Sequence, residues 1–324
     1  MSSLLRIGAF FLLALAGAAQ AESAFPVTLE HKYGSTTIDA EPLRVVSVGF
    51  SDQDDILALG VKPVAIREWY GEMPYATWPW AQDELGDAQP VVLGRGNLDY
   101  ETIAELEPDL IIGISSGMSN RVYKRLSRIA PTLPQSGDYI DYGVPWDVRA
   151  RTIGRALGKD DQAEALVSRL QARIDAVAEN HPEFQGKEAA IAFYYNGDVG
   201  AYSSNDLRSQ LMQSFGFDIP EVYDEIAGSS FYASFSEERL DLLDVDVLVW
   251  LSGSSALEAV DGLSLRPMLT ANREGREVFV GELLGGAFSF MSPLSMDYLL
   301  DELVPELELA VDGDPNTVVP SSVE

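Results

Sequence analysis

Arg44-Val-Val-Ser-Val-Gly-Phe-Ser-Asp-Gln-Asp-Asp-Ile-Leu-Ala-Leu-Gly-Val-Lys-Pro-Val-Ala-Ile66 is followed by Val92-Leu-Gly-Arg-Gly-Asn-Leu-Asp-Tyr-Glu-Thr-Ile-Ala-Glu-Leu-Glu-Pro-Asp-Leu-Ile-Ile-Gly-Ile114, and the two stretches repeat one plan. Each sets an apolar strand, a short glycine-containing loop and about one and a half helical turns ahead of another apolar strand, the unit from which parallel α/β sheets are built. Loops at the ends of such strands are where these sheets hold ligands. Strands are predicted at 44–48, 64–66, 91–93, 110–114 and 132–134, with Gly60 as a helix stop and Pro63 and Pro108 just ahead of strands.

Outward from these units, Ala163, Leu166, Leu170, Ile174 and Val177 recur at three- and four-residue spacing, with Arg169, Gln171, Arg173 and Asp175 facing away. The pattern predicts an amphipathic helix of about five turns, opened by a capping box of Asp161 and Glu164 and ended by His181-Pro182. Its mid-chain position predicts a rigid connector between lobes, the alternative being an ordinary layer helix. Beyond it, Glu188-Ala-Ala-Ile-Ala-Phe-Tyr-Tyr195 reads as a buried strand. Helices follow at 206–215, 237–243 and 293–303, strands at 245–251 and 277–280, and a frayed tail at 312–324. The fold class is therefore α/β, with two lobes built on mostly parallel sheets: 22–159, then the connecting helix 160–182, then 183–324.

Arg6 precedes the apolar run 7–15, and Gly17-Ala-Ala-Gln-Ala21 closes it with small residues, the layout of a cleavable secretion signal over 1–21. The run falls short of the ~20 apolar residues that a spanning helix needs. No cysteine is present, so no lipid-modified N-terminal Cys, disulfide or thiolate metal site is expected. Over 324 residues, 22 Lys+Arg face 51 Asp+Glu for a net charge of −29, and loss of Arg6 with the signal takes it to −30. Such a balance excludes nucleic acid and anionic membrane as partners held by general attraction. The carboxylates are scattered, which reads as surface solvation rather than cation binding. These features describe an exported, two-lobed binding protein.

Arg44-Val-Val-Ser with Leu57-Ala-Leu-Gly-Val-Lys-Pro63, Tyr100-Glu-Thr-Ile-Ala-Glu-Leu-Glu-Pro-Asp-Leu-Ile-Ile112, the mid-chain helix, and Phe235-Ser-Glu-Glu-Arg-Leu240 with Asp244-Val-Asp-Val-Leu-Val249 together resemble the periplasmic binding proteins for ferric siderophores, haem and vitamin B12. The resemblance runs over roughly 40–310, and Glu68-Trp-Tyr-Gly-Glu72 with Trp78-Pro-Trp80 is similar to the iron-siderophore branch. It implies two α/β lobes joined by one long rigid helix, the helical-backbone periplasmic binding protein fold. It also implies a ferric siderophore carried as ligand in the interlobe cleft, with cobalamin or haem as alternatives, a soluble monomer in the periplasm, and delivery to the membrane subunits of an ABC importer. By motif, Glu101 and Glu238 match the surface glutamates that dock such proteins on the transporter, with Glu237 a near alternative; both also stand as plain acids at helix N-termini.

Aromatic walls with a few polar anchors suit a small-molecule pocket. Trp69 and Tyr70 are expected toward the ligand and Trp78 and Trp80 packed beneath. Strand-end loops add Phe50 and Ser51, Arg95, Ser116, and Tyr139 and Tyr142. Arg67 and Arg95 are the expected anchors, since a guanidinium fork can hold chelate oxygens, against the alternative of structural ion pairs. From the second lobe, Tyr194, Tyr195 and Asn196, Phe231 and Tyr232, the serines of 252–254, and Phe288, Phe290 and Met291 are candidates, the Phe and Met side chains also reading as core. No intrinsic cofactor is implied. Direct metal ligation has little support: His31 and His181 lack partners at ligand spacing and read as surface residues, although Tyr70, Tyr194 or Tyr195 could supply a tyrosinate. No catalysis is expected, because the sequence has no Cys nucleophile, no Gly-x-Ser-x-Gly turn and no phosphate-binding loop. The alternative from another class is a cleft metalloenzyme using Asp52 or Asp54.

Overall fold

The computed structural model describes residues 24–195, 197–251 and 256–322; the expected secretion signal, Asn196 and the serines of 252–254 lie outside them. A hairpin of β1 (Val27–His31) and β2 (Gly34–Ile38) leads into the first sheet. That sheet is wholly parallel: β3 (Val45–Ser47), α1 (Asp52–Ala58), β4 (Ala65–Arg67), α2 (Gln82–Leu85), β5 (Val91–Leu93), α3 (Tyr100–Glu105), β6 (Leu110–Gly113), α4 (Asn120–Leu126) and β7 (Thr132–Pro134) give the strand order β5-β4-β3-β6-β7. The short apolar strands β3, β6 and β7 are buried on both faces, as crossover helices require, while Val91 and Val92 of the edge strand β5 are exposed. Val45, Leu110 and Ile112 enter the cluster under α5 (Trp146–Ala156), while Val46 and Ile111 enter the opposite one.

The mid-chain pattern forms α6 (Asp160–Asn180), 21 residues and about 30 Å long. Its apolar stripe is divided between two cores: Ala163 and Leu166 pack in the first-lobe cluster, Leu170 and Ile174 in the second. The expected capping box is not made. The helix starts from Lys159 without a side-chain cap, and Glu164 instead pairs with Arg151 on α5 at 2.8 Å. α5 and α6 cross closely at Gly154, where a Cβ would stand 2.3 Å from that of Ala163.

The second sheet has the order β10-β9-β8-β11-β12, built from β8 (Ala189–Tyr195), β9 (Asp198–Tyr202), α7 (Leu207–Phe215), α8 (Glu221–Ala227), β10 (Tyr232–Phe235), β11 (Val247–Trp250), α9 (Ala256–Asp261), α10 (Thr270–Arg273) and β12 (Glu277–Phe279). Strands β8, β11 and β12 run parallel, and β9 and β10 are antiparallel. Residues Glu237–Leu243 form a kinked 3₁₀ segment rather than an α-helix.

The chain then returns to the first lobe. α11 (Glu282–Phe290) leads into α12 (Pro293–Ala310), longer than expected, which opens with a Ser292/Ser295 capping box. Met296, Leu299 and Leu303 of α12 lie in the second core, while Leu294 packs on Leu57, Ala81 and Leu85 of the first lobe. Besides α6, then, α12 also ties the lobes together, and Arg169 and Arg173 of α6 clasp Asp297 and Asp301 of α12. The C-terminal segment is docked where a frayed tail was expected. Val319 is buried, and Ser321 Oγ accepts from the Phe279 amide and donates to Glu306.

Candidate binding cleft between the lobes

Strand order in the first sheet reverses between β3 and β6, and sheets of this kind take ligands where the order switches. Residues just past those two strand ends, Phe50, Ser51 and Ser115, open onto a cavity of about 470 Å³ between the lobes. That volume lies within the range of small-molecule sites. Trp69, the loop 140–143 and Arg149 extend the first-lobe wall; Tyr202, residues 205–208, Phe231 and residues 288–291 supply the second. Tyr142 (φ 67°) and Met291 (φ 42°) hold left-handed backbone conformations at this wall, local strain of the kind that surrounding packing must sustain.

The wall is aromatic because rings from distant segments converge. Phe50 lies 5.6 Å from Trp69 and 6.4 Å from Tyr142, centroid to centroid. From the second lobe, Phe290 reaches Trp69 at 5.4 Å, Trp80 at 5.5 Å and Trp78 at 5.8 Å. Edge-to-face and offset pairs of this type add about 0.5–1.5 kcal/mol each beyond area burial. Trp78 is buried and stacks on Trp80 at 4.9 Å, in space that two glycines leave open. A Cβ at Gly71 or Gly286 would come within 2.6 or 2.5 Å of the Trp78 ring.

Beneath the aromatics the floor is ionic. Arg149 Nε donates to Asp55 Oδ2 at 2.8 Å, with side chains 3% and 0% exposed, and Arg149 Nη2 donates to the Met291 carbonyl of the other lobe at 2.8 Å. Asp54 Oδ2 accepts from Trp80 Nε1 at 2.8 Å and, across the lobes, from Ser292 Oγ at 2.6 Å. Asp52 accepts from the Ser115 amide at 3.0 Å. Burial pushes all three carboxyls up, Asp54 to about 6 and Asp55 to about 7, against the opposing pull of Ser292 and Trp80 on the former and of Arg149 on the latter. Asp52 and Asp54 Oδ2 thus accept from protein donors, Asp54 Oδ1 is buried without a partner, and neither residue lines the cavity. Among the described residues, no group of three or more His, Cys, Asp or Glu is placed to hold a metal.

Of the expected residues, Phe50, Ser51, Trp69, Tyr142, Phe288 and Phe290 are brought together around the cavity. Several others are placed elsewhere. Arg67 lies with its guanidinium 4.3 Å from the Phe50 ring centroid and donates to the carbonyls of Arg95 and Gly96 at 3.0 Å, so it braces the wall from behind. The Arg95 side chain is exposed away from the cavity. Tyr70 packs against Trp69, Trp78 and Phe290, and burial pushes its phenol up to about 12, against any role as a tyrosinate ligand. Ser116 is buried in its own turn, donating to the Gly113 carbonyl. Tyr139 packs on the first core, Tyr194 on the second, Tyr195 is 72% exposed, and Tyr232 leans on Phe193 and Phe231. None of these eight lines the cavity. His31 is buried, bonded to Thr36 and set against Tyr123, and not the surface residue expected; His181 stacks on Phe184.

Sequence reading missed Arg149, Arg208, Tyr202 and Asn205. Arg149, between Val148 and Ala150, and Arg208, between Leu207 and Ser209, sit in helices where no local motif marks a ligand contact. Arg208 Nε donates to Asp206 at 2.7 Å and Nη2 at 2.9 Å, and its guanidinium stacks 3.8 Å from the Tyr202 ring centroid. Glu101 and Glu238 are both exposed, one in the first turn of α3 behind the Asp99 cap and the other in the segment after β10. Glu237 is engaged by the amide and hydroxyl of Ser264.

Two α/β lobes braced by a long helix, with a ring-walled cleft between them, have the architecture of a protein that holds a small molecule. The family model described as periplasmic binding protein matches residues 45–280, and this chain belongs to that family. It is 36% identical to a periplasmic solute binding protein of Mycobacterium smegmatis whose crystal structure superposes with a TM-score of 0.80, over 88% of this chain and 98% of that one. It is also 27% identical to the Fe(3+) dicitrate-binding periplasmic protein FecB of Escherichia coli over 67% of this chain and 69% of FecB. A third relative, "Probable siderophore-binding lipoprotein YfiY" of Bacillus subtilis, is 26% identical over 69% of this chain and 68% of its own.

Proposed function

We propose that this chain captures a ferric siderophore in the interlobe cleft and delivers it to an ABC importer, as a soluble monomer in the periplasm exported through residues 1–21. The observation that carries the reading is the aromatic cavity at the sheet's switch point, shared by both lobes. Relatives named for siderophore and ferric dicitrate binding support the ligand class. A chelator that wraps the iron presents an apolar, oxygen-studded exterior, which ring faces and a few polar groups can hold without protein ligands to the metal. Bridges at Ser292–Asp54 and Arg149–Met291, together with α6 and α12, restrict lobe movement to small adjustments on binding. Glu101 and Glu238, one exposed carboxylate per lobe, are the docking points in this proposal. An exposed ion pair contributes only ~0–1 kcal/mol, so their task is registration more than adhesion.

Titration of residues 22–324 with ferric hydroxamate, ferric catecholate, haem and cobalamin, followed by Trp fluorescence and by calorimetry, tests the reading. Saturable submicromolar binding of a ferric chelate is expected, with quenching of Trp69. Binding of haem or cobalamin alone would transfer the protein to another ligand class, and absence of binding by all four would sink the import reading.

A further inference from the structure

Among the described residues, four charged residues line the cavity: Asp141, Arg149, Asp206 and Arg208. Each is already matched by a partner within the first or second lobe. Arg149 is held by Asp55, Arg208 by both oxygens of Asp206, and Asp141 by Lys32 Nζ at 2.6 Å. The other lining residues are aromatic, aliphatic or neutral polar. Arg67, which could have supplied an open cation, is committed behind Phe50. Below Arg149 lie Asp52 and Asp54 as well as Asp55, so carboxylates outnumber guanidinium groups at the floor.

Resting on the proposed import function, we infer that the cargo is a ferric chelate with no net negative charge, of the trishydroxamate type, and that Asp206 sets this preference by neutralising Arg208. A trianionic tris-catecholate would meet no uncompensated cation here and would be desolvated beside carboxylates; a buried anion needs a partner to offset that cost. A neutral trishydroxamate has no such requirement. Its polar oxygens can accept from the N–H groups that Arg149 and Arg208 have to spare, and its apolar arms suit Phe50, Trp69 and Phe290.

The test compares ferrichrome, a neutral ferric trishydroxamate, with ferric enterobactin, a trianionic tris-catecholate of similar size, by calorimetry on residues 22–324 at 0.05 and 0.3 M salt. Ferrichrome is expected to bind at least tenfold more tightly, with affinity nearly independent of salt. In Asp206→Ser, which keeps an oxygen to cap α7, the ratio of the two affinities is expected to move at least tenfold toward the trianion. Equal or tighter binding of the trianion by the unaltered protein overturns the inference and leaves the import reading standing. An unchanged ratio in a folded Asp206→Ser protein overturns the role of Asp206. Binding of neither chelate overturns both the inference and the reading beneath it.

Discussion

Arg149→Met isolates the ionic floor of the cleft. The guanidinium is 3% exposed and pairs at 2.8 Å with Asp55, itself 0% exposed, while a second nitrogen bonds Met291 of the other lobe at 2.8 Å. Removing one member of a buried pair leaves an uncompensated charge and typically costs about 3–5 kcal/mol, whereas exchanging both members for apolar groups is often neutral. The loss of the Met291 contact, a hydrogen bond from a charged donor, accounts for about 1.5–3 kcal/mol of that range. Urea unfolding at pH 7.5, followed in parallel by Trp fluorescence and circular dichroism, should therefore register a deficit of about 3–5 kcal/mol. The deficit should shrink at pH 5, where Asp55, already pushed up by burial, enters the folded state protonated. Arg149→Met with Asp55→Leu should recover much of the loss. A single variant that loses less than about 1 kcal/mol, or a double variant no better than the single, would refute the claim that a charge pair organises this floor.

Asp54, at about 6 in the native protein against 3.8 unfolded, binds more protons folded than unfolded between those values, so its contribution is present at low pH and lost as pH rises through 6. Asp54→Asn should remove on the order of 2–3 kcal/mol of pH dependence between pH 8 and pH 4, seen as the difference between the two unfolding profiles; parallel profiles would contradict it. Gly286→Ala places a methyl 2.5 Å from the Trp78 ring and should destabilise by about 1–3 kcal/mol, with loss of near-ultraviolet Trp dichroism, while Gly262→Ala, with open space at its Cβ, should not. Glu101→Ala with Glu238→Ala should lower uptake into cells while chelate affinity measured by calorimetry stays unchanged; normal uptake would remove both residues from the docking surface.

The strands of the first lobe were legible within a residue or so, because short apolar runs bounded by Gly and Pro have few other homes in a parallel sheet. The apolar stripe of α6 was equally plain. Its capping box was not, since Glu164 had a cross-helix partner in Arg151 that no local pattern reveals. Aromatic residues near strand ends proved a fair guide to the cleft: Phe50 and Trp69 line it, joined by Phe290 from the end of α11. Tyrosines read by the same rule fared worse, because a strand's last residues can turn either way, and Tyr195 ends on the open face. Arginines were the weakest signal. Arg67 and Arg95 stood beside the right loops but were placed behind or outside the wall, and Arg149 and Arg208 were hidden in helices with no local mark of a cleft, the first paired with a carboxylate 94 positions away and the second with Asp206 just before it.

The hydrogen bond between Ser292 and Asp54 joins residues 238 positions apart. During synthesis the first lobe emerges long before α12, so Asp54 can meet Trp80 early but Ser292 only after almost the entire remaining polypeptide. Contacts this distant in sequence close late and slowly. The lobe that carries Asp54, Asp55 and Arg149 therefore lacks the bonds from Ser292 to Asp54 and from Arg149 to the Met291 carbonyl until the C-terminal region is delivered. For a chain expected to cross a membrane before folding, that makes the C-terminal helix the element that completes the contact between the lobes.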